Sequence, residues 1–121
     1  MSNSIHISIE PVRTIAFGAI RDGYNPVGGL NSAFSNPCRI LLINNLTNAN
    51  LMFSDTGSPV NGDKFPVAAN TSMIVDLTTN KTVEQGAFIA EKTSVYVKNL
   101  VPGVGPTAGA VYVTVFYGED Y

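Results

Sequence analysis

Tryptophan is absent from these 121 residues, and cysteine and histidine occur once each. Those scarcities remove most chemistry. The lone Cys38 cannot form an internal disulfide. It precedes the apolar run Ile40–Ile43, so it reads as a buried, inert thiol. Arg39 is its neighbour in sequence, but on a strand it points to the opposite face. No second His or Cys is spaced to share a zinc ion with His6. A Ser-His-Asp arrangement would have to use His6, and there is no Gly-x-Ser-x-Gly turn to present a nucleophile. His6 is therefore read as an exposed residue on the polar face of the first strand.

Charge is scarce as well. Charged residues make up 13% of the chain, against about 25% in an ordinary soluble domain. The seven Lys and Arg are scattered and the net charge is −2, so nucleic acid finds no basic stripe. No apolar run approaches the roughly 20 residues of a membrane-spanning helix. The opening Met-Ser-Asn-Ser-Ile-His has neither a cationic head nor an apolar segment. No signal peptide is expected, and synthesis in a cytoplasm is. Without secretion, the Asn-x-Ser/Thr triplets at Asn45, Asn70 and Asn80 carry no meaning.

The remaining acidic groups read as turn and surface chemistry. Asp55 and Asp63 flank a turn with Ser58 and Asn61, but the spacing is not that of a calcium loop. Glu84 and Glu91 bracket a short strand with no aromatic sugar platform nearby. Gly103-x-Gly105 precedes a strand and lacks the Lys-Ser/Thr of a phosphate loop. No catalytic residue, metal or cofactor is assigned, no small-molecule substrate is expected, and the chain is read as a non-enzyme.

What is present is strand grammar. Sustained 3.6-residue periodicity is missing, so no significant helix is predicted. Period-two runs recur instead, separated by Gly, Pro, Asn and Asp. Strands are expected over 5–9, 13–20, 38–43, 51–54, 64–67, 71–77, 87–90, 94–100 and 110–117. Pro11 breaks or bends the first two runs apart. The 38–43 run, apolar on both faces, is a central strand, and Pro66 places 64–67 at an edge. Asn44 to Asn50 read as a turn, and Asn61-Gly62 as a hairpin signal. The 94–100 and 110–117 runs are expected to pair through the Gly/Pro-rich segment 101–109. The sum is an all-β chain, an antiparallel β-sandwich of about 8–9 short strands. Jelly-roll and immunoglobulin-like arrangements both fit. Residues 1–12 are an N-terminal arm or first strand, and 13–121 form a single sandwich domain.

The last strand carries most information. Over 110–117 it reads Ala-Val-Tyr-Val-Thr-Val-Phe-Tyr. Val111, Val113, Val115 and Tyr117 share one face; Tyr112, Thr114 and Phe116 share the other. A half-exposed antiparallel strand alternates apolar with polar, so aromatic rings on the second face imply a cover. Candidate partner contacts are Ile5, Ile7 and Ile9 as an arm for a neighbour's sheet edge, and Tyr24 and Phe34 on the long 21–37 loop. Tyr112 and Phe116 on the last strand and Tyr121 at the acidic tail complete the set.

Six segments in order carry a resemblance. They are Arg-Ile-Leu-Leu-Ile-Asn-Asn-Leu-Thr-Asn-Ala (39–49), Leu-Met-Phe-Ser-Asp (51–55) and Phe-Pro-Val-Ala-Ala-Asn (65–70). Val-Asp-Leu-Thr-Thr-Asn-Lys (75–81), Gly-Ala-Phe-Ile-Ala-Glu-Lys-Thr-Ser-Val-Tyr-Val-Lys (86–98) and Pro-Thr-Ala-Gly-Ala-Val-Tyr-Val-Thr-Val-Phe-Tyr (106–117) follow. The string resembles small all-β virion structural proteins of tailed bacteriophages. The resemblance implies a non-enzymatic subunit present in many copies on a virion, in contact with other virion proteins and with copies of itself. A capsid decoration or cement role is preferred. A head–tail connector or tail ring is the alternative, and a glycan- or surface-binding sandwich is the reading from another class.

Overall fold

A computed structural model describes residues 5–29, 32–56, 64–76, 89 and 91–120, with residues 5, 6, 119 and 120 described by their backbone. The strands are β1 (Ile5–Ile9), β2 (Arg13–Ala16), β3 (Asn25–Pro26), β4 (Cys38–Asn45), β5 (Leu51–Ser54), β6 (Phe65–Val67), β7 (Thr71–Asp76), β8 (Tyr96–Asn99) and β9 (Ala110–Asp120). A single 3-10 turn spans Phe17–Ala19 between β2 and β3. Two antiparallel sheets pack as a sandwich. The larger runs β1-β9-β4-β7, with β2 also on β9; the smaller runs β3-β8-β5-β6.

β9 is long enough to hold β2 on its first half and β1 on its second, along one side. Ile9 pairs with Phe116 and Arg13 with Val113. Three residues, Glu10 to Val12, thus face two on β9, which is a β-bulge at Pro11. The extra residue reverses the alternation. Ile7 and Ile9 point outward before it, and Arg13 and Ile15 point inward after it. The segment 5–9 is therefore a first strand paired within its own chain.

The core lies between the sheets. Val111, Val113 and Val115 from β9, Leu41 and Ile43 from β4, and Leu51, Phe53 and Val97 from the smaller sheet are almost wholly buried. Phe53 stacks on Phe65 at 6.0 Å. Cys38 is buried, and burial, the largest influence, pushes its thiol up to about 11.

Several local expectations are corrected. β8 pairs with β3 and β5, and not with β9; the segment 101–109 carries the chain from one sheet to the other. Its end is set by Gly109, at φ +92°, where a Cβ would lie 2.1 Å from the Leu46 carbonyl oxygen. β4 runs on to Asn45 instead of turning at Asn44. Asn45 is fully buried: its Nδ2 donates to the carbonyls of Ala49, Val67 and Ala68, and its Oδ1 accepts from Thr47. That network ties the β4–β5 turn to the β6–β7 turn and leaves the buried amide fully hydrogen-bonded. β2 ends at Ala16, so Phe17 leaves the Ile15 face and is 40% exposed. Of the expected strand 87–90, Ile89 is described, and it exchanges two backbone hydrogen bonds with Cys38. The Asn61-Gly62 turn lies outside the described residues; β5 and β6 pair antiparallel, Phe53 with Phe65.

Candidate partner-contact face

The larger sheet has two faces, and its register lines up their side chains in rows. The inner rows are Arg13–Val113–Ile43–Met73 and Ile15–Val111–Asn45–Thr71, with Val115–Leu41–Val75 beside them. The outer rows are Ile9–Phe116–Ile40–Asp76, Thr114–Leu42–Ile74 and Thr14–Tyr112–Asn44–Ser72. Among the described residues the smaller sheet lies on the inner face and no layer lies on the outer one.

The outer face is split by polarity. One half holds Ile7, Ile9, Phe116, Ile40, Leu42 and Ile74. The other holds Thr14, Tyr112, Asn44 and Ser72, where Ser72 Oγ donates to Asn44 Oδ1 at 2.5 Å. In the three outer rows Asp76 is the one charged side chain. Ile9 is 59% exposed and Ile74 65%, at opposite margins, and Phe116, Ile40 and Leu42 are half-buried between them. Isolated exposed apolar residues are ordinary on protein surfaces, but a contiguous patch rimmed by polar groups marks an interaction site.

Of the expected contacts, Ile7, Ile9, Tyr112 and Phe116 meet on this face. Ile5 pairs through its backbone with Asp120, and Tyr121 lies outside the described residues. Tyr24 is elsewhere: it is half-buried beside the smaller sheet, with Lys98 Nζ 4.8 Å from its ring centre. Phe34 is corrected. It is 1% exposed, inside the core, with the Arg13 guanidinium 5.3 Å from its ring centre. A side chain so enclosed offers a partner no surface. Ile40, Leu42 and Ile74 belong to the face but were not expected there. Their signal was the second apolar set alternating with Leu41, Ile43, Met73 and Val75.

A polar node beside the bulge lines a cleft. The cleft, of about 570 Å³, is lined by Glu10, Arg13, Gly28 and Ser35, among others. Arg13 Nη2 donates to Glu10 Oε1 at 2.7 Å and to the Ala33 carbonyl at 2.8 Å, and Nε donates to the Ser32 carbonyl at 3.0 Å. Glu10 also accepts from Ser35 N–H and Asn36 Nδ2. Burial, the largest single influence, raises the Glu10 pKa. The Asn36 and Arg13 hydrogen bonds, with Ser35 N–H, outweigh it and hold the carboxyl below its ordinary value. Both charges are engaged with one another and with the 32–36 backbone, so the node clamps the loop to the edge strand. Among the described residues, no three His, Cys, Asp or Glu side chains gather to hold a metal, and no helix is long and apolar enough to cross a membrane.

No protein-family model, curated protein or solved structure matches the chain.

Proposed function

We propose that this chain is a non-enzymatic structural subunit of a tailed-bacteriophage virion, a capsid decoration or cement protein that seats the outer face of its larger sheet on the particle. One observation carries the reading: the apolar half of that face, Ile9–Phe116–Ile40 with Leu42 and Ile74 alongside, lies on a sheet whose core contacts are already made on its other side. Burying such a surface against a shell contributes about 25 cal/mol per Å² of apolar area. The low charge of the chain supports the same reading, since fewer ions need desolvation at the contact. The resemblance to small virion proteins supplies the particle. A head–tail or tail ring would use the same face in a closed cyclic array.

The test is made on particles. Virions purified from the source lysate contain the chain in many copies, and particles stripped of it rebind the purified protein. Leu42→Lys, outward and half-buried, weakens rebinding by at least about tenfold, equivalent to about 1.4 kcal/mol, with an unchanged far-ultraviolet spectrum. Absence of the chain from purified particles overturns the proposal. Copy number separates the stations: decoration follows the shell lattice, and a ring gives one small closed set.

A further inference from the structure

Three of the four sheet margins carry a device against pairing with another chain. β6 is three residues long and contains Pro66, and β3 is two residues long and contains Pro26. The β1–β2 margin is broken by the bulge at Pro11. Short strands, prolines and bulges are how proteins keep sheet edges from adding foreign strands. The fourth margin, β7, has none of these among its described residues. It runs Thr-Ser-Met-Ile-Val-Asp over 71–76 without Pro, Gly or Lys. Its register with β4 is unbroken from Asp76 to Thr71, and among the described residues no strand pairs with its other side. The inner-face residues at this margin, Met73 and Val75, are only half-buried, although their row mates Ile43 and Leu41 are at most 3% exposed.

We propose that β7 is a strand-pairing edge whose occupant is β7 of a second copy, antiparallel about a two-fold axis at Ile74, giving one sheet continuous across a dimer. The sequence of the strand argues for a copy of itself. A two-fold axis perpendicular to the sheet keeps outer residues outward, so only registers centred on a residue are allowed. Centred on Ile74, the register sets Ile74 opposite Ile74, Met73 opposite Val75 and Ser72 opposite Asp76. Apolar meets apolar on both faces, and the polar residues Ser72 and Asp76 are set opposite each other. Centred on Met73, it sets Ser72 against Ile74 and Thr71 against Val75. Centred on Val75, it presses Asp76 against Ile74. One register alone is self-complementary, and it also covers Met73 and Val75 on the inner side. The proposal concerns the sheet edge and the isolated chain, and does not rest on a particle-facing role for the outer face.

Oxidative cross-linking of the full chain tests the register. Opposed residues across an antiparallel pair lie about 4.5–5.5 Å apart, within reach of a disulfide. Ile74→Cys therefore yields a covalent dimer. Ser72→Cys does not, because the two copies of position 72 lie about 14 Å apart along the strands. The buried Cys38 makes the wild type the oxidation control. By light scattering the wild type has twice the 12.8 kDa chain mass, and Ile74→Lys, a charge on an outward side chain, has that of one chain with its thermal midpoint retained at high dilution. A wild type that stays a single chain, a dimer that survives Ile74→Lys, or a Ser72→Cys variant that cross-links as readily as Ile74→Cys overturns the proposal.

Discussion

The inner and outer faces of the larger sheet are built from the same strands and nearly the same residue types, yet they do different things. Inside, Val111, Val113, Val115 and Ile43 are wholly buried under the smaller sheet. Outside, Phe116, Ile40 and Leu42 are half-buried by their neighbours, and Ile9 and Ile74 stand in solvent. The charges invert the usual order too. The inner face buries an Arg13–Glu10 ion pair at its margin, with side-chain exposures of 7% and 3%, while Asp76 is the one charged side chain in the three outer rows. Hydropathy alone therefore does not say which face is the core. The side that receives a second layer does, and among the described residues no layer covers the apolar residues of the other side.

That contrast is broken most strongly on the inside. Ile43→Ala removes a side chain at 0% exposure from the centre of the core. It is expected to cost about 2–5 kcal/mol, the range for large-to-small changes in packed interiors, read as a lower denaturation midpoint with little change in slope. Leu42→Ala, one residue away and facing outward, is expected to cost well under half as much in the monomer. Equal losses would mean that the outer face is covered by the chain itself.

The next effect lies at the inner margin and depends on pH. Glu10 has a folded-state pKa below its ordinary 4.5. In the acid range the unfolded chain then binds more protons than the folded one. The stabilisation from Glu10 is complete above the unfolded pKa and is lost as pH falls through the folded value. Glu10→Gln keeps the shape but leaves the Arg13 guanidinium without its counter-charge. It is expected to destabilise the protein at neutral pH by about 1–3 kcal/mol and to flatten the acid limb of midpoint against pH. An acid limb as steep as the wild type's would assign that limb to other carboxylates.

How far the sequence was legible follows from how local each signal is. Most of the strands, the break at Pro11, the edge position of Pro66 and the central place of β4 are written in period-two patterns and in proline's missing N–H, and they stand in the structure, whereas β3 inside the 21–37 loop was not read and 87–90 is described only at Ile89. Partner choice is not local. The Val-Tyr-Val runs at 95–97 and 111–113 are alike in sequence, and only the crossover through 101–109 sends them to different sheets. Phe34 sits in a polar loop, and its burial depends on Arg13 and Glu10, some twenty residues away, clamping that loop. Asn45 reads as a turn residue until its amide is seen to donate to the carbonyls of Val67 and Ala68, more than twenty residues away. The outer face was half legible: Tyr112 and Phe116 were recognised. Ile40, Leu42 and Ile74 were not, because a strand apolar on both sides reads as wholly interior.

The smallest expected effect is the most discriminating. Ile74 is 65% exposed, so little of its surface is withdrawn from water when one chain folds. Ile74→Thr keeps a β-branched side chain in the strand and should change stability at high dilution by no more than about 0.5 kcal/mol, as for most surface substitutions. If two copies pair along β7, the wild type alone is stabilised by mass action as concentration rises. The two proteins then have the same thermal midpoint when dilute and separate as they are concentrated, with the wild type moving upward and the variant moving less. Parallel, concentration-independent midpoints would leave Ile74 as one more exposed isoleucine and confine the apolar surplus of this sheet to its outer face. A difference that is already large at high dilution would show that Ile74 is covered within its own chain, and the division between a folding face and an assembling face would have to be redrawn.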